Sequence, residues 1–171
     1  MGPEDAAFHS QGWVTVDDLV ELARRLQRAG VQFVVYGGIA CVLHGFVRAT
    51  NDLDLCIGEN PDNIKKALNV LASWGQGFAR ELKPDDVLDS VVVRIGDAFT
   101  LDIASKIWKL DWEQAWARRR IVTIDGVDIP VLSREHLIKS KLTYREKDAW
   151  DVRELSNLIH PEPGRPAEGD V

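Results

Sequence analysis

The chain has 171 residues, of which 45% are hydrophobic and 28% charged, a balance that suits one soluble domain with its own core and excludes disordered and fibrous classes. The formal net charge of −6 argues against non-specific binding to duplex nucleic acid, and two cysteines, Cys41 and Cys56, cannot make a disulfide framework. No apolar run is long enough to span a bilayer and the acidic opening lacks the apolar stretch of a secretory signal, so a cytoplasmic location is expected.

A single domain over residues 13–160 is expected, with 1–12 and 161–171 as flexible termini, because the closing stretch is rich in proline and glycine and poor in apolar residues. Residues 15–29 read as a helix: Leu19, Leu22, Ala23, Leu26 and Ala29 recur at helical spacing, Thr15 caps the start and Gly30 suits the left-handed position after the end. Residues 31–36 are rich in β-branched and aromatic side chains and read as a buried strand. Gly37-Gly38 ends that strand, and a short helix over residues 39–44 follows. Residues 52–57 form a second strand. Asn60-Pro61, a cap followed by proline, starts the next helix, with Ile64, Ala67, Leu68 and Leu71 as its apolar stripe.

Residues 91–95 and 99–103 read as two strands around a tight turn at Gly96-Asp97. Asp111 opens a short helix carrying Trp112 and Trp116. Residues 121–124 and 127–132 flank Asp125-Gly126, a strong hairpin signal. Ser133 caps a helix over about residues 134–145, and a last helix covers about 147–159 with Trp150, Leu155, Leu158 and Ile159 facing inward. The sum is an α/β (α+β) domain, a mixed β-sheet with packed helices.

The strand over residues 52–57 carries the chemistry. Side chains alternate along a strand, so Leu53, Leu55 and Ile57 share the core face while Asp52, Asp54 and Cys56 share the other. Two carboxylates then stand roughly 7 Å apart at their Cα atoms. They repel, and a divalent cation with its preference for carboxylate oxygens would relieve the conflict. On the later strand, Phe99, Leu101 and Ile103 point inward and Thr100 and Asp102 outward. If the two strands pair, three carboxylates converge, a set able to hold two Mg²⁺ ions and substrate phosphates for in-line transfer. Gly37-Gly38 lies between strand and helix, where glycine lets the backbone approach a phosphate.

Gly37-Gly38, His44-Gly45, Arg48, Thr50, Asp52-x-Asp54 and Leu101-Asp102 together resemble the minimal nucleotidyltransferases of the DNA polymerase β superfamily. The layout is also similar to small lincosamide and aminoglycoside nucleotidyltransferases and to nucleotidyltransferase-like toxins of toxin–antitoxin pairs. The segment from Leu132-Ser133 through Lys141, Arg145, Lys147-Asp148 and Asp151 is similar to their short C-terminal helices. The resemblance implies the polymerase-β-like fold and transfer of a nucleoside monophosphate from an NTP to an acceptor hydroxyl, with pyrophosphate released. It implies that Asp52, Asp54 and Asp102 bind Mg²⁺, two ions with Mn²⁺ able to substitute, and that Asp102 also takes the acceptor's proton. Gly37 and Gly38 would hold the triphosphate. Where many members have a serine after the glycines this chain has Ile39, so the phosphate grip falls to backbone N–H groups, Thr50, Arg48 or a lysine such as Lys141. An antibiotic-like small molecule, a tRNA end and a protein side chain all fit as acceptors, and an antitoxin protein fits as a partner. The rival reading is a weak or inactive module of the same fold that binds without turnover.

Other residues read more plainly. His44 suits a cap or core role, Cys56 packing, and Trp112 and Trp116 core or homodimer packing rather than base stacking. Arg118, Arg119 and Arg120, and separately Lys139, Lys141, Arg145 and Lys147, form basic runs that read as solvated faces or phosphate patches.

Overall fold

The computed structural model describes residues 12–46, 48–96 and 99–168. Helix α1 (Val16–Arg28) opens on a capping box: the Asp18 amide donates to Thr15 Oγ1 at 3.1 Å, and the Thr15 amide donates to Asp18 Oδ2 at 2.9 Å. Leu19, Leu22, Ala23 and Leu26 are buried, and Gly30 adopts a φ of 70° beyond the helix end. Strand β1 (Phe33–Tyr36) runs directly into α2 (Gly37–Leu43), which begins at the glycines themselves rather than after them. Strand β2 (Asp52–Ile57) follows, then α3 (Pro61–Leu71), capped by Asn60 with Pro61 in its first turn.

A short 3₁₀ turn (Phe78–Glu81) and helix α4 (Pro84–Leu88) fill a stretch where the apolar spacing is too brief to reveal a helix. Strands β3 (Val93–Gly96) and β4 (Thr100–Ala104) pair antiparallel, while Asp97 of the expected turn lies outside the described residues. Helix α5 (Trp112–Ala117) precedes the hairpin of β5 (Arg120–Ile124) and β6 (Val127–Val131). Asp125 and Gly126 both take positive φ there, 49° and 75°, as a type I′ turn requires. Helices α6 (Arg134–Ser140) and α7 (Glu146–Asn157) follow, then β7 (Arg165–Pro166).

The seven strands form one mixed sheet in the order β3-β4-β2-β1-β6-β5-β7. β2 pairs parallel with β4 and β1 parallel with β6; the other pairings are antiparallel. Leu53, Leu55 and Ile57 of β2 and Leu101 and Ile103 of β4 are buried in the core. No helix among the described residues is long and apolar enough to cross a membrane.

Three expectations change. Helix α6 stops at Ser140, five residues short of the expected end. In α7 the inward residues are Asp148, Asp151 and Leu155; Ile159 is 93% exposed, and Trp150 lies half-exposed with its ring edge-on to Phe46, centroids 5.0 Å apart. The segment after 160, expected to be loose, is bound to the domain as far as Ala167, whose amide donates to the Arg119 carbonyl: β7 pairs with β5, and the Arg120 guanidinium donates to the carbonyls of Pro163 (3.2 Å) and Gly164 (2.8 Å). Arg118 pairs with Glu135 at 3.1 Å. The basic run thus contributes ion pairing and tethering here.

Candidate active site

The strand register decides the site. β2 and β4 run parallel with Asp52 opposite Thr100 and Asp54 opposite Asp102, so the three aspartates occupy one face of adjacent strands. Asp52 and Asp54 are partly exposed, and Asp102 is buried. Asp54 carries the electrostatic cost: burial, then the charges of Asp102 and Asp52, push its carboxyl up to about 6, although Lys141 and Lys147 oppose the rise. Burial, with the Asp54 charge second, also holds the Tyr36 phenol well above its ordinary range. Tyr36 pairs with Asp54 across β1–β2.

The glycines are required by what they touch. Gly37 has a φ of 69°, and a Cβ built there would lie 2.1 Å from Asp54 Oδ2. A Cβ on Gly38 would lie 2.8 Å from Thr50 Oγ1. The backbone at the start of α2 is therefore pressed directly against Asp54 and Thr50. Thr50 itself donates to the Asp52 carbonyl at 3.1 Å, which fixes the approach of the chain into β2.

One cleft of about 570 Å³ gathers Gly37, Gly38, Arg48, Thr50, Asp52, Asp54 and Lys141. Asp102 stands behind it, in contact with Arg94, which does line the cleft. A second cleft of about 750 Å³, lined by Arg118, Arg134, Glu162 and neighbours, contains none of the candidate residues.

Two cations expected to hold phosphates are already paired. Arg48 Nη1 donates to both oxygens of Asp151 at 2.6 Å, and Lys141 Nζ donates to Asp151 Oδ2 at 2.7 Å. Asp151 is fully buried, so the three side chains form a compensated ionic core joining the loop before β2 to α6 and α7. By contrast, Lys106 and Lys147 line the cleft exposed, and no ion pair involves either among the described residues.

Arg94 is the site residue that sequence reading missed. Its Nε donates to Asp102 Oδ1 at 2.8 Å and its Nη2 to Oδ2 at 2.7 Å, a two-bond fork, with Asp52 Oδ2 at 3.9 Å from Nη2. A two-residue turn at Gly96-Asp97 would oppose Arg94 to Phe99. The actual register opposes Gly96 to Thr100 and therefore Arg94 to Asp102. The available signal was parity, since Arg94 alternates with the apolar Val93 and Ile95.

The donor chemistry fits a divalent cation: Asp52 and Asp54 offer hard oxygens on one face of β2 and both line the cleft. The expected convergence of all three carboxylates is not present as such. Among the described residues, no group of three or more His, Cys, Asp or Glu side chains is arranged to hold a metal ion, and Asp102 is turned to Arg94. The plainer residues behave as expected: His44 is buried with Nε2 2.8 Å from the Leu132 carbonyl, to which it donates, and Cys56 is a buried free thiol that burial pushes up to about 12.

Comparison with known proteins agrees with this architecture. The lincosamide antibiotic adenylyltransferase LnuA, solved with lincomycin bound, superposes with a TM-score of 0.57 at 16% identity, covering 85% of this chain and 98% of its own. A candidate nucleotidyltransferase from Thermotoga maritima gives a TM-score of 0.52 at 20% identity, covering 83% of this chain and 92% of its own. An antigenic nucleotidyltransferase-like protein from Paracoccidioides brasiliensis gives 0.50 at 18%, covering 84% and 76%. At these identities the likeness is one of fold. No curated protein sequence matches the chain. The model of a nucleotidyltransferase family of unknown function, DUF6036, matches residues 14–160, and the chain belongs to that family.

Proposed function

We propose that this chain transfers a nucleoside monophosphate from an NTP to an acceptor hydroxyl, with Mg²⁺ as cofactor, probing of which also admits Mn²⁺. The observation that carries the reading is the β2–β4 register, which stands Asp52, Asp54 and Asp102 on one face, with Asp52 and Asp54 lining a cleft together with Gly37 and Gly38. Asp52 and Asp54 would hold the cation pair, with Asp102 completing the set. The cation, when bound, neutralises triphosphate charge and lowers the pKa of the acceptor hydroxyl.

The remaining work falls to the chain's own residues. Asp54 and Thr50 fill the space that side chains at Gly37 and Gly38 would take, so phosphate contacts at these two cleft-lining positions would fall to backbone N–H groups. Lys106 and Lys147 meet the charge of the β- and γ-phosphates; Arg48 and Lys141, committed to Asp151, shape the cleft floor rather than grip the nucleotide. The acceptor oxygen forms its bond to the α-phosphorus as the bond to the pyrophosphate oxygen breaks, and the acceptor's proton passes to Asp102. Both Asp102 oxygens accept bonds from Arg94, so Asp102 must be freed before it can take that proton. This last feature also favours the second reading, a weakly active or inactive binding module such as a toxin–antitoxin component, acting on a protein or tRNA partner.

Pyrophosphate release, measured over a panel of NTPs with small-molecule, tRNA and protein acceptors, separates the two. Asp102→Asn should lose about 10²–10⁴-fold in turnover while keeping much of its NTP affinity. Asp52→Asn and Asp54→Asn should lose both. Turnover in Asp102→Asn equal to the parent would remove the assignment, and no release with any acceptor would leave the binding module.

A further inference from the structure

Arg94 stands among the candidate cation ligands and is itself a cation. Its fork spans both oxygens of Asp102 at 2.8 and 2.7 Å, and the same Nη2 reaches toward Asp52 at 3.9 Å. The two sides of this pair differ in freedom. The Asp102 side chain is 7% exposed, on a strand with neighbours on both sides, whereas the Arg94 side chain is 63% exposed, on β3 at the edge of the sheet. The guanidinium can leave for solvent by rotating side-chain bonds alone, whereas the carboxylate is enclosed by its neighbours.

Resting on the nucleotidyltransferase reading above, we propose that Arg94 is a resident counter-ion of the Asp102–Asp52 pair, and that a divalent cation binds these carboxylates by displacing it. Arginine suits the role because its planar fork matches both carboxylate oxygens, yet its single charge over three aspartates leaves the group net negative and open to a doubly charged ion. In the cation-free protein Arg94 occupies both oxygens of Asp102. Cation loading then breaks the fork and delivers a mobile guanidinium to a cleft that it already lines.

The test is Mn²⁺ alone, without nucleotide, titrated into the parent, Arg94→Gln and Arg94→Lys and followed by the electron paramagnetic signal of free Mn²⁺. Removing a competing charge-assisted fork should tighten Mn²⁺ binding by about ten- to a hundredfold in Arg94→Gln. Arg94→Lys keeps the charge without the fork, should fall between, and preserves the test if the glutamine variant folds poorly. In the parent, Mg²⁺ should also turn the Arg94 Nε–H from slow to fast solvent exchange by nitrogen-15 NMR, as its bond to Asp102 is lost. Mn²⁺ affinity unchanged or weaker in Arg94→Gln, or an Nε–H indifferent to Mg²⁺, overturns the proposal and leaves the enzyme reading standing. Failure of all three proteins to bind Mn²⁺ overturns both.

Discussion

Two groups of aspartates adjoin one cleft under opposite electrostatic conditions. Asp151 lies fully buried beneath it, yet every strong demand it makes is met: Arg48 and Lys141 donate to it at 2.6–2.7 Å. Asp52, Asp54 and Asp102 are on the whole closer to solvent, yet only Asp102 has a full partner, and burial, then the charges of Asp102 and Asp52, pushes the Asp54 carboxyl up to about 6. Burial alone therefore does not separate the paired acid from the candidate site acids here. What separates them is whether the fold supplies the countercharge. Where it does, the aspartate ties elements together; where it withholds it, room is left for a ligand to supply the charge.

The sharpest way to break that comparison is to remove Asp151. Asp151→Ala strands the charges of Lys141 and Arg48, whose side chains are 9% and 19% exposed. Losing one partner of a buried ionic group costs about 3–5 kcal/mol, so urea unfolding should show a loss of that size, with metal-free and metal-loaded protein affected alike. A loss below about 1 kcal/mol, in the range of an exposed pair, would mean that this cluster is not the compensated core described above.

The difference between the clusters also marks how far the sequence could be read. The site strands were legible because alternation is local: Asp52 and Asp54 must share a face opposite Leu53 and Leu55, and Asp102 has matching parity. Gly37-Gly38 was legible because glycine has few reasons to sit between strand and helix. The ionic core was not, since Arg48, Lys141 and Asp151 are brought together by the packing of α6 and α7 beside the loop before β2, and no local pattern encodes that meeting. Arg94 was hidden by hairpin register, where a turn longer than the expected two residues changes which side chain faces Asp102. The C-terminal segment misled for a related reason. Its composition is that of a loose end, but Arg120 binds the carbonyls of Pro163 and Gly164, and Arg134 that of Pro161, from outside the segment.

A smaller effect tests the uncompensated side directly. The folded Asp54 carboxyl titrates near pH 6 and an unfolded one near about 4, so between these values the native state holds more protons than the unfolded state. Stability attributable to this group is therefore greatest below about pH 4, falls as pH rises to about 6, and stays reduced above. Asparagine cannot ionise, so metal-free Asp54→Asn should gain on the order of 1–3 kcal/mol over the parent at pH 7.5 and nothing at pH 4. Denaturation midpoints of the two proteins across that range measure it. A gain independent of pH would point to packing rather than charge, and a loss at pH 7.5 would show Asp54 to be paired after all.

The smallest effect distinguishes lysines only a few residues apart. Lys141 is bonded to Asp151 and is 8% exposed; Lys147, in the first turn of α7, is exposed, lines the cleft and acts on Asp54 only through space. A solvated lysine adds little to folding, so Lys147→Ala should melt at the parent's temperature. It should nevertheless bind an Mg²⁺–NTP analogue about two- to tenfold more weakly by calorimetry, and the deficit should shrink in high salt, where the parent's lysine is screened too. Lys141→Ala should show the reverse, a clear drop in melting temperature with weaker binding only in proportion to the protein unfolded. If both variants lose stability and binding together, the lysines belong to one network and the division of the cleft into a compensated floor and an open, ligand-seeking wall is wrong. If Lys147→Ala binds the analogue as well as the parent does, the triphosphate is held elsewhere, and Lys106 with the backbone at Gly37 and Gly38 becomes the next place to look.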